Sequence, residues 1–150
     1  MAEHKMHSGF PEKSRSTFTL DAVPTNFSIA QERVQKYLDD SPCSMKTQFE
    51  LDMIIEEVFI NIANYAYGES TGTVSIDLAL NEARDLLAIT FRDSGIPYDP
   101  LKKAAPDLSS SAKERAIGGL GIFLIRKLSD DISYQYDGHE NRLTILKKLD

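Results

Sequence analysis

Glu57, Asn61 and Asn64 fall at i, i+4 and i+7 in a segment whose apolar residues recur at helical spacing, so all three lie on one polar stripe of a helix. Asn is a middling helix former because its amide competes for backbone hydrogen bonds, and two of them in mid-helix suggest another use. An Asn oxygen is a neutral, hard ligand suited to Mg²⁺, whose shell is completed by water and substrate phosphates. A carboxylate one turn away can orient or deprotonate a nucleophile. A solvated helix face would give the same stripe.

Two further stretches invite chemistry. Asp93-Ser94-Gly95-Ile96-Pro97 follows a predicted strand. There Asp93 can accept from the exocyclic amine of a purine, and Gly95 lets a flat ring approach the backbone. A plain Asx turn closing a strand has the same sequence. Gly118-Gly119-Leu120-Gly121 precedes an apolar helical run, where glycines expose consecutive N–H groups at the positive end of the helix dipole and can hold phosphate. No Gly-Lys-Ser/Thr follows, so this is not a Walker loop. A glycine-rich helix start without a ligand is equally consistent with it.

The elements that must position these residues can be read from periodicity. Residues 1–15 mix charge, Gly and Pro without period and are expected as a loose N-terminal arm, leaving 16–150 as one domain. Residues 17–23 alternate as a strand with Phe18, Leu20 and Ala22 on one face, and Pro24 ends it. Helices are predicted over 26–40 and 46–67, the second built on Leu51, Ile54, Ile55, Val58, Ile62 and Ala66, with Gly68 as its left-handed stop. Strands at 73–80 and 85–91 form a hairpin. An irregular stretch of about twenty residues follows, the length of a functional lid. A helix from Gly118 and strands at 132–136 and 142–147 complete an α+β sandwich, a mixed, mostly antiparallel sheet covered on one face by three helices.

Composition narrows the function classes. A 150-residue chain buries roughly 68–70% of its unfolded surface and needs no disulfide or structural metal to build a core. Its one Cys, Cys43, excludes a disulfide scaffold, and no Cys/His cluster has zinc spacing. Net charge −6, with Lys and Arg scattered singly, argues against a nucleic-acid-binding face. No run reaches the roughly 18 to 20 apolar residues of a membrane span, and no signal peptide is visible, so a cytoplasmic protein is expected. His4, His7 and His139 read as surface residues.

The order of the three boxes is more telling than any one of them. E-x-x-x-N on a helix, D-x-G-x-P at a strand end, a Ser/Pro/Ala-rich lid and then G-x-G at a helix start resemble the GHKL ATPase superfamily and its Bergerat nucleotide-binding fold. Within it, the stretches 57–67, 91–101 and 118–125 resemble the bacterial anti-sigma factor serine kinases, over about 16–149. The resemblance implies a flexible ATP lid, ATP and Mg²⁺ as cofactors, Asn61 as metal ligand and Glu57 as the residue that activates a substrate serine. It implies adenine held by Asp93 with Gly95, Asn64 and Pro97 at the nucleotide, and phosphates cradled by Gly118, Gly119, Leu120 and Gly121. Lys113 and Arg115, in the lid, become candidates to meet the γ-phosphate. Thr144 on the last strand becomes a candidate to reach the adenine through water, and strand alternation explains it equally well.

The family often has His where Tyr65 stands. The absence of a helical phospho-acceptor segment ahead of the domain is expected to exclude a sensor histidine kinase, and the absence of a transducer domain a larger ATPase machine. The implied function is an ATP:protein serine phosphotransferase that binds a sigma factor and phosphorylates a STAS-type antagonist, as a homodimer. The alternative is a nucleotide-dependent binding switch without catalysis. Retention of Glu57 favours the enzyme, because a binder needs only Asn61, Asp93 and the glycines.

Overall fold

A computed structural model describes residues 9–102 and 119–150. The elements are β1 (Ser16–Asp21), α1 (Phe27–Tyr37), α2 (Met45–Tyr65), β2 (Thr73–Leu80), β3 (Leu86–Asp93), α3 (Gly119–Leu128), β4 (Asp131–Tyr136) and β5 (Asn141–Lys148). One-turn 3-10 segments occupy Glu12–Ser14, Pro24–Asn26 and Pro100–Lys102. The order of helices and strands is the one the sequence predicts.

The five strands form one sheet in the order β1-β2-β3-β5-β4, and all four pairings are antiparallel. The expected mixed sheet is therefore not found among the described residues, and the connections explain why. The chain leaves β1 at Asp21, makes two helices and re-enters β2 at Thr73, the cross-strand partner of Asp21. Two helices in succession return it to the end it left, so the strands pair antiparallel. β4 runs in the same direction as β3, but β5 lies between them.

One face of the sheet is apolar. Every second residue of β2, β3 and β5 is buried, including Val74, Ile76, Leu78, Leu87, Ile89, Phe91, Leu143 and Ile145. These pack with Ala30 and Val34 of α1, Leu51, Ile54, Ile55, Val58 and Phe59 of α2, and Ile122 and Ile125 of α3 in one core. The opposite face is a polar ladder. Thr17 Oγ1 donates to Asp77 Oδ1 at 2.8 Å, Thr90 and Thr144 share a bond at 2.9 Å, and Arg92 Nε meets Asp77 Oδ2 at 2.7 Å.

α2 is the scaffold of the chemistry. Its N-terminus is capped by Ser44, whose Oγ accepts from Thr47 N at 3.1 Å. It stops at Tyr65, and Gly68 follows with φ 59°, the left-handed conformation expected of a glycine stop. Lys147 of β5 is buried, and its ammonium donates to Glu50 Oε1 at 2.9 Å and to Leu128 O at 2.5 Å, tying the sheet to α2 and to the C-terminus of α3.

The segment expected as a loose arm packs against the sheet from Phe10 onward. Phe10 is buried, Ser14 Oγ bridges Leu80 O and Leu80 N at 2.9 and 3.2 Å, and the Tyr37 hydroxyl donates to Ser14 O. Aperiodic sequence concealed this because a single apolar anchor and a hydroxyl suffice to seat it.

Phe59 is the largest fully buried side chain of α2. Phe59→Ala should cost about 3–5 kcal/mol, read as a lower denaturant midpoint with an unchanged slope.

Candidate functional site

Beside the C-terminal end of β3, a cavity of about 380 Å³ opens between α2, α3 and the neighbouring ends of β5 and β4. Its walls are mostly apolar, from Val58 and Ile62 of α2 and its C-cap Ala66, Ile122 and Ile125 of α3, and Phe91 and Leu143 of the sheet. Few polar groups face it, which is the usual makeup of a small-molecule site. Asp93, Asn141, Asn61 and the tyrosines 65, 98 and 134 supply them.

Asp93 and Asn141 are cross-strand partners in β3 and β5 and both are buried. Asn141 Nδ2 donates to Asp93 Oδ1 at 3.0 Å, and Gly95 N donates to the same oxygen at 3.0 Å. Among the described residues Oδ2 of Asp93 has no hydrogen-bond partner and remains an acceptor at the cavity wall. Burial pushes the Asp93 carboxyl above its ordinary range, against the two hydrogen bonds that draw it down. Gly95 is required by the fold as well as by any ligand. A Cβ there would lie 2.2 Å from Ala66 O, and the next residue, Ile96, donates its N–H to that carbonyl at 2.8 Å. The loop after β3 is thus sealed onto the end of α2.

Glu57 and Asn61 stand one turn apart on α2, both half-buried, and neither side chain has a hydrogen-bond partner among the described residues. α3 begins directly above them. A Cβ on Gly121 would come within 2.6 Å of Glu57 Oε2 and 3.7 Å of Asn61 Nδ2. Only a glycine lets this turn approach the carboxylate so closely. Burial, and then the like charge of Glu56, push the Glu57 carboxyl above its ordinary range, which makes it a stronger base once ionised. Among the described residues no group of three or more His, Cys, Asp or Glu could hold a metal. Asn61 with Glu57 offers a hard cation only part of a shell, which suits Mg²⁺ arriving with phosphate oxygens.

The structure therefore brings Glu57, Asn61 and Gly121 together, and lines the cavity with Asp93 and Pro97. Asn64 is exposed and does not line the cavity. Gly119 and Leu120 open α3, while Gly118, Lys113 and Arg115 lie outside the described residues, as do His4 and His7. Tyr65 lines the cavity and is 52% exposed. Thr144 does not reach the cavity. It lies on the polar face with Thr90, because Leu143 and Ile145 on either side of it take the core face. Sequence reading missed Asn141, since its function depends on register with a residue 48 positions away; an Asn in phase with the core positions Leu143 and Ile145 was the available signal.

The family model for the histidine kinase-like ATPase domain matches residues 20–147, spanning all three boxes. The chain belongs to this family. It is 28% identical to serine-protein kinase RsbW of Listeria monocytogenes over 81% of this chain and 79% of that protein. It is 29% identical to serine/threonine-protein kinase BtrW of Bordetella bronchiseptica over 68% of this chain and 71% of that protein. The fold matches the crystal structure of the RsbU and RsbW domains of a Mycobacterium tuberculosis protein with TM-score 0.62 at 14% identity, covering 90% of this chain and 32% of that one. It also matches the SiaB-SiaC complex structure from Pseudomonas aeruginosa with TM-score 0.55 at 18% identity, covering 97% of this chain and 94% of that one. As a member of this family the chain carries an ATP-binding domain.

Two glycines separate fold from site. Gly95→Ala must displace the Ala66 backbone that caps α2 and should lower the denaturation midpoint clearly. Gly121→Ala meets only the end of a flexible Glu57 side chain and gains helix propensity of up to ~1 kcal/mol. Its midpoint should be unchanged or higher, and parallel urea titrations of the two variants check the contrast.

Proposed function

We propose that the chain is an ATP-dependent protein serine kinase that acts as an anti-sigma factor, binding a sigma factor and phosphorylating a STAS-type antagonist in a partner-switching pathway. The observation that carries the reading is the pairing of Glu57 and Asn61 beneath Gly121, with Asn61 also lining the cavity that contains Asp93. The names of the relatives, serine-protein kinase and serine/threonine-protein kinase, support the same chemistry. A purely nucleotide-binding switch would need the acceptor at Asp93 and the Asn61 amide, but not a half-buried carboxylate raised in pKa beside them.

Asp93 Oδ2 accepts from the adenine amine, and the apolar walls exclude water from the ring. The backbone N–H groups opening α3, from Gly119 to Gly121, receive phosphate oxygens at the positive end of the helix dipole. Asn61 offers its amide oxygen to Mg²⁺, which supplies neutralisation of the phosphate charge. Glu57 takes the proton of the substrate serine as its oxygen bonds to the γ-phosphorus; the bond between that phosphorus and the bridging oxygen breaks and its electrons leave with ADP. Lys113 or Arg115 meets the transferred charge. Asn64 and Gly118 belong to the periphery of the phosphate end in this reading. The cytoplasm is where such a kinase meets its sigma factor, and a homodimer is the working assembly.

Glu57→Gln should abolish phosphotransfer, to below about a hundredth of the wild-type rate, while ATP affinity changes less than about threefold; a labelled-phosphate transfer assay with a STAS-type antagonist reads the first and calorimetry the second. Asn61→Ala should remove the Mg²⁺-dependent part of the rise in Tm caused by ATP, since ligand bound only by the native state must stabilise it. Because the Glu57 pKa is raised, the phosphotransfer rate should climb with pH across a correspondingly elevated acid limb. That limb should be absent from the residual activity of Glu57→Gln.

A further inference from the structure

We infer that Asn141 is a positioning residue that sets base selectivity: by clamping Asp93, the Ile96–Tyr98 loop and β4 together, it presents one fixed acceptor, Oδ2 of Asp93, to the bound base. The inference rests on the reading of the cavity as an ATP site. Four hydrogen bonds consume the whole capacity of the Asn141 amide. Nδ2 donates to Asp93 Oδ1 at 3.0 Å and to Ile96 O at 3.0 Å, and Oδ1 accepts from Tyr98 N at 3.1 Å and from the Tyr134 hydroxyl. An Asn has two donors and two acceptor lone pairs, so nothing remains for a ligand. Asn141 therefore acts through Asp93 and not on the base.

The consequence is a carboxylate with its two oxygens in different roles. Oδ1 is filled by Asn141 and by Gly95 N, whereas Oδ2 has no partner among the described residues and is the oxygen left for a base in the cavity. An acceptor held there matches the exocyclic amine of adenine and opposes the carbonyl of guanine at the same ring position. A site built to bond an amine discriminates strongly against an analogue that cannot donate, because a buried polar group is left unpaired. The loop that walls the cavity at Ile96, Pro97 and Tyr98 is held by the same amide, so base orientation and wall position are set together.

Two substitutions test this by isothermal titration with ATP and with GTP, each with Mg²⁺, at pH 6 and pH 8. Asn141→Ala removes every bond and should weaken ATP binding at least tenfold while narrowing the ATP-over-GTP preference by a similar factor. Asn141→Asp is isosteric and keeps the acceptor for Tyr98 N and Tyr134, but sets a second carboxylate against Oδ1 of Asp93, with Glu140 the further acidic neighbour that raises Asp93. Two such carboxylates share a proton, so ATP binding by this variant should be weak at pH 8 and recover at pH 6. The wild type should gain no affinity on going from pH 8 to pH 6, because Asp93 accepts only when ionised. Folded variants that bind ATP with wild-type affinity, selectivity and pH trend would overturn the inference and leave the ATP site standing. A wild-type protein that binds no ATP would overturn both.

Discussion

The site depends on one buried contact between strands that the chain brings together from 48 residues apart. Asp93 ends β3 and Asn141 opens β5, and their pairing places a carboxylate inside an otherwise apolar wall. An unpaired carboxylate in that position would be protonated or would turn toward water. Asn141 and Gly95 N together keep it ionisable and immobile. The same amide holds the Ile96–Tyr98 loop and Tyr134, so three wall segments share one fixed point. The rest of the cavity is apolar packing that this contact gives a direction to.

The other functional group is held by a different device. No hydrogen bond orients Glu57 or Asn61 among the described residues; the first turn of α3 comes so close that a Cβ at position 121 would meet the end of the Glu57 side chain. α3 in turn is fixed at its far end by Lys147, which joins Leu128 O to Glu50 of α2. One buried lysine at the C-terminus of a short helix thereby helps place the N–H groups at its N-terminus. Among the described residues the reactive groups have no hydrogen-bond partner and so are open to a ligand, whereas Asn141, which positions Asp93, is saturated. This division matches what phosphoryl transfer needs, a rigid frame around a few unsatisfied donors and acceptors.

Much of this was legible in the sequence. The 3.6-residue spacing of Leu51, Ile54, Ile55, Val58 and Ile62 located α2 and with it the relation of Glu57 to Asn61, because a helix converts spacing directly into proximity. The pattern of Val74 to Leu80 and of Leu87 to Phe91 located the hairpin for the same reason. What could not be read was non-local. Asn141 gains its partners only through strand register and a loop closure. The close approach of Gly121 to Glu57 depends on how α3 docks. The seating of Phe10 and Ser14 on the sheet left no periodic trace at all.

A crystal structure of the protein with Mg²⁺ and a non-hydrolysable ATP analogue would decide whether the cavity between α2, α3 and the sheet is the nucleotide site. The adenine amine should lie within hydrogen-bond reach of Asp93 Oδ2, phosphate oxygens on the N–H groups that open α3, and the metal on the Asn61 amide oxygen with Glu57 free to face the γ-phosphate. An analogue bound elsewhere, for instance over the polar ladder of Thr17, Asp77 and Thr144, or bound in the cavity with its base away from Asp93, would contradict it.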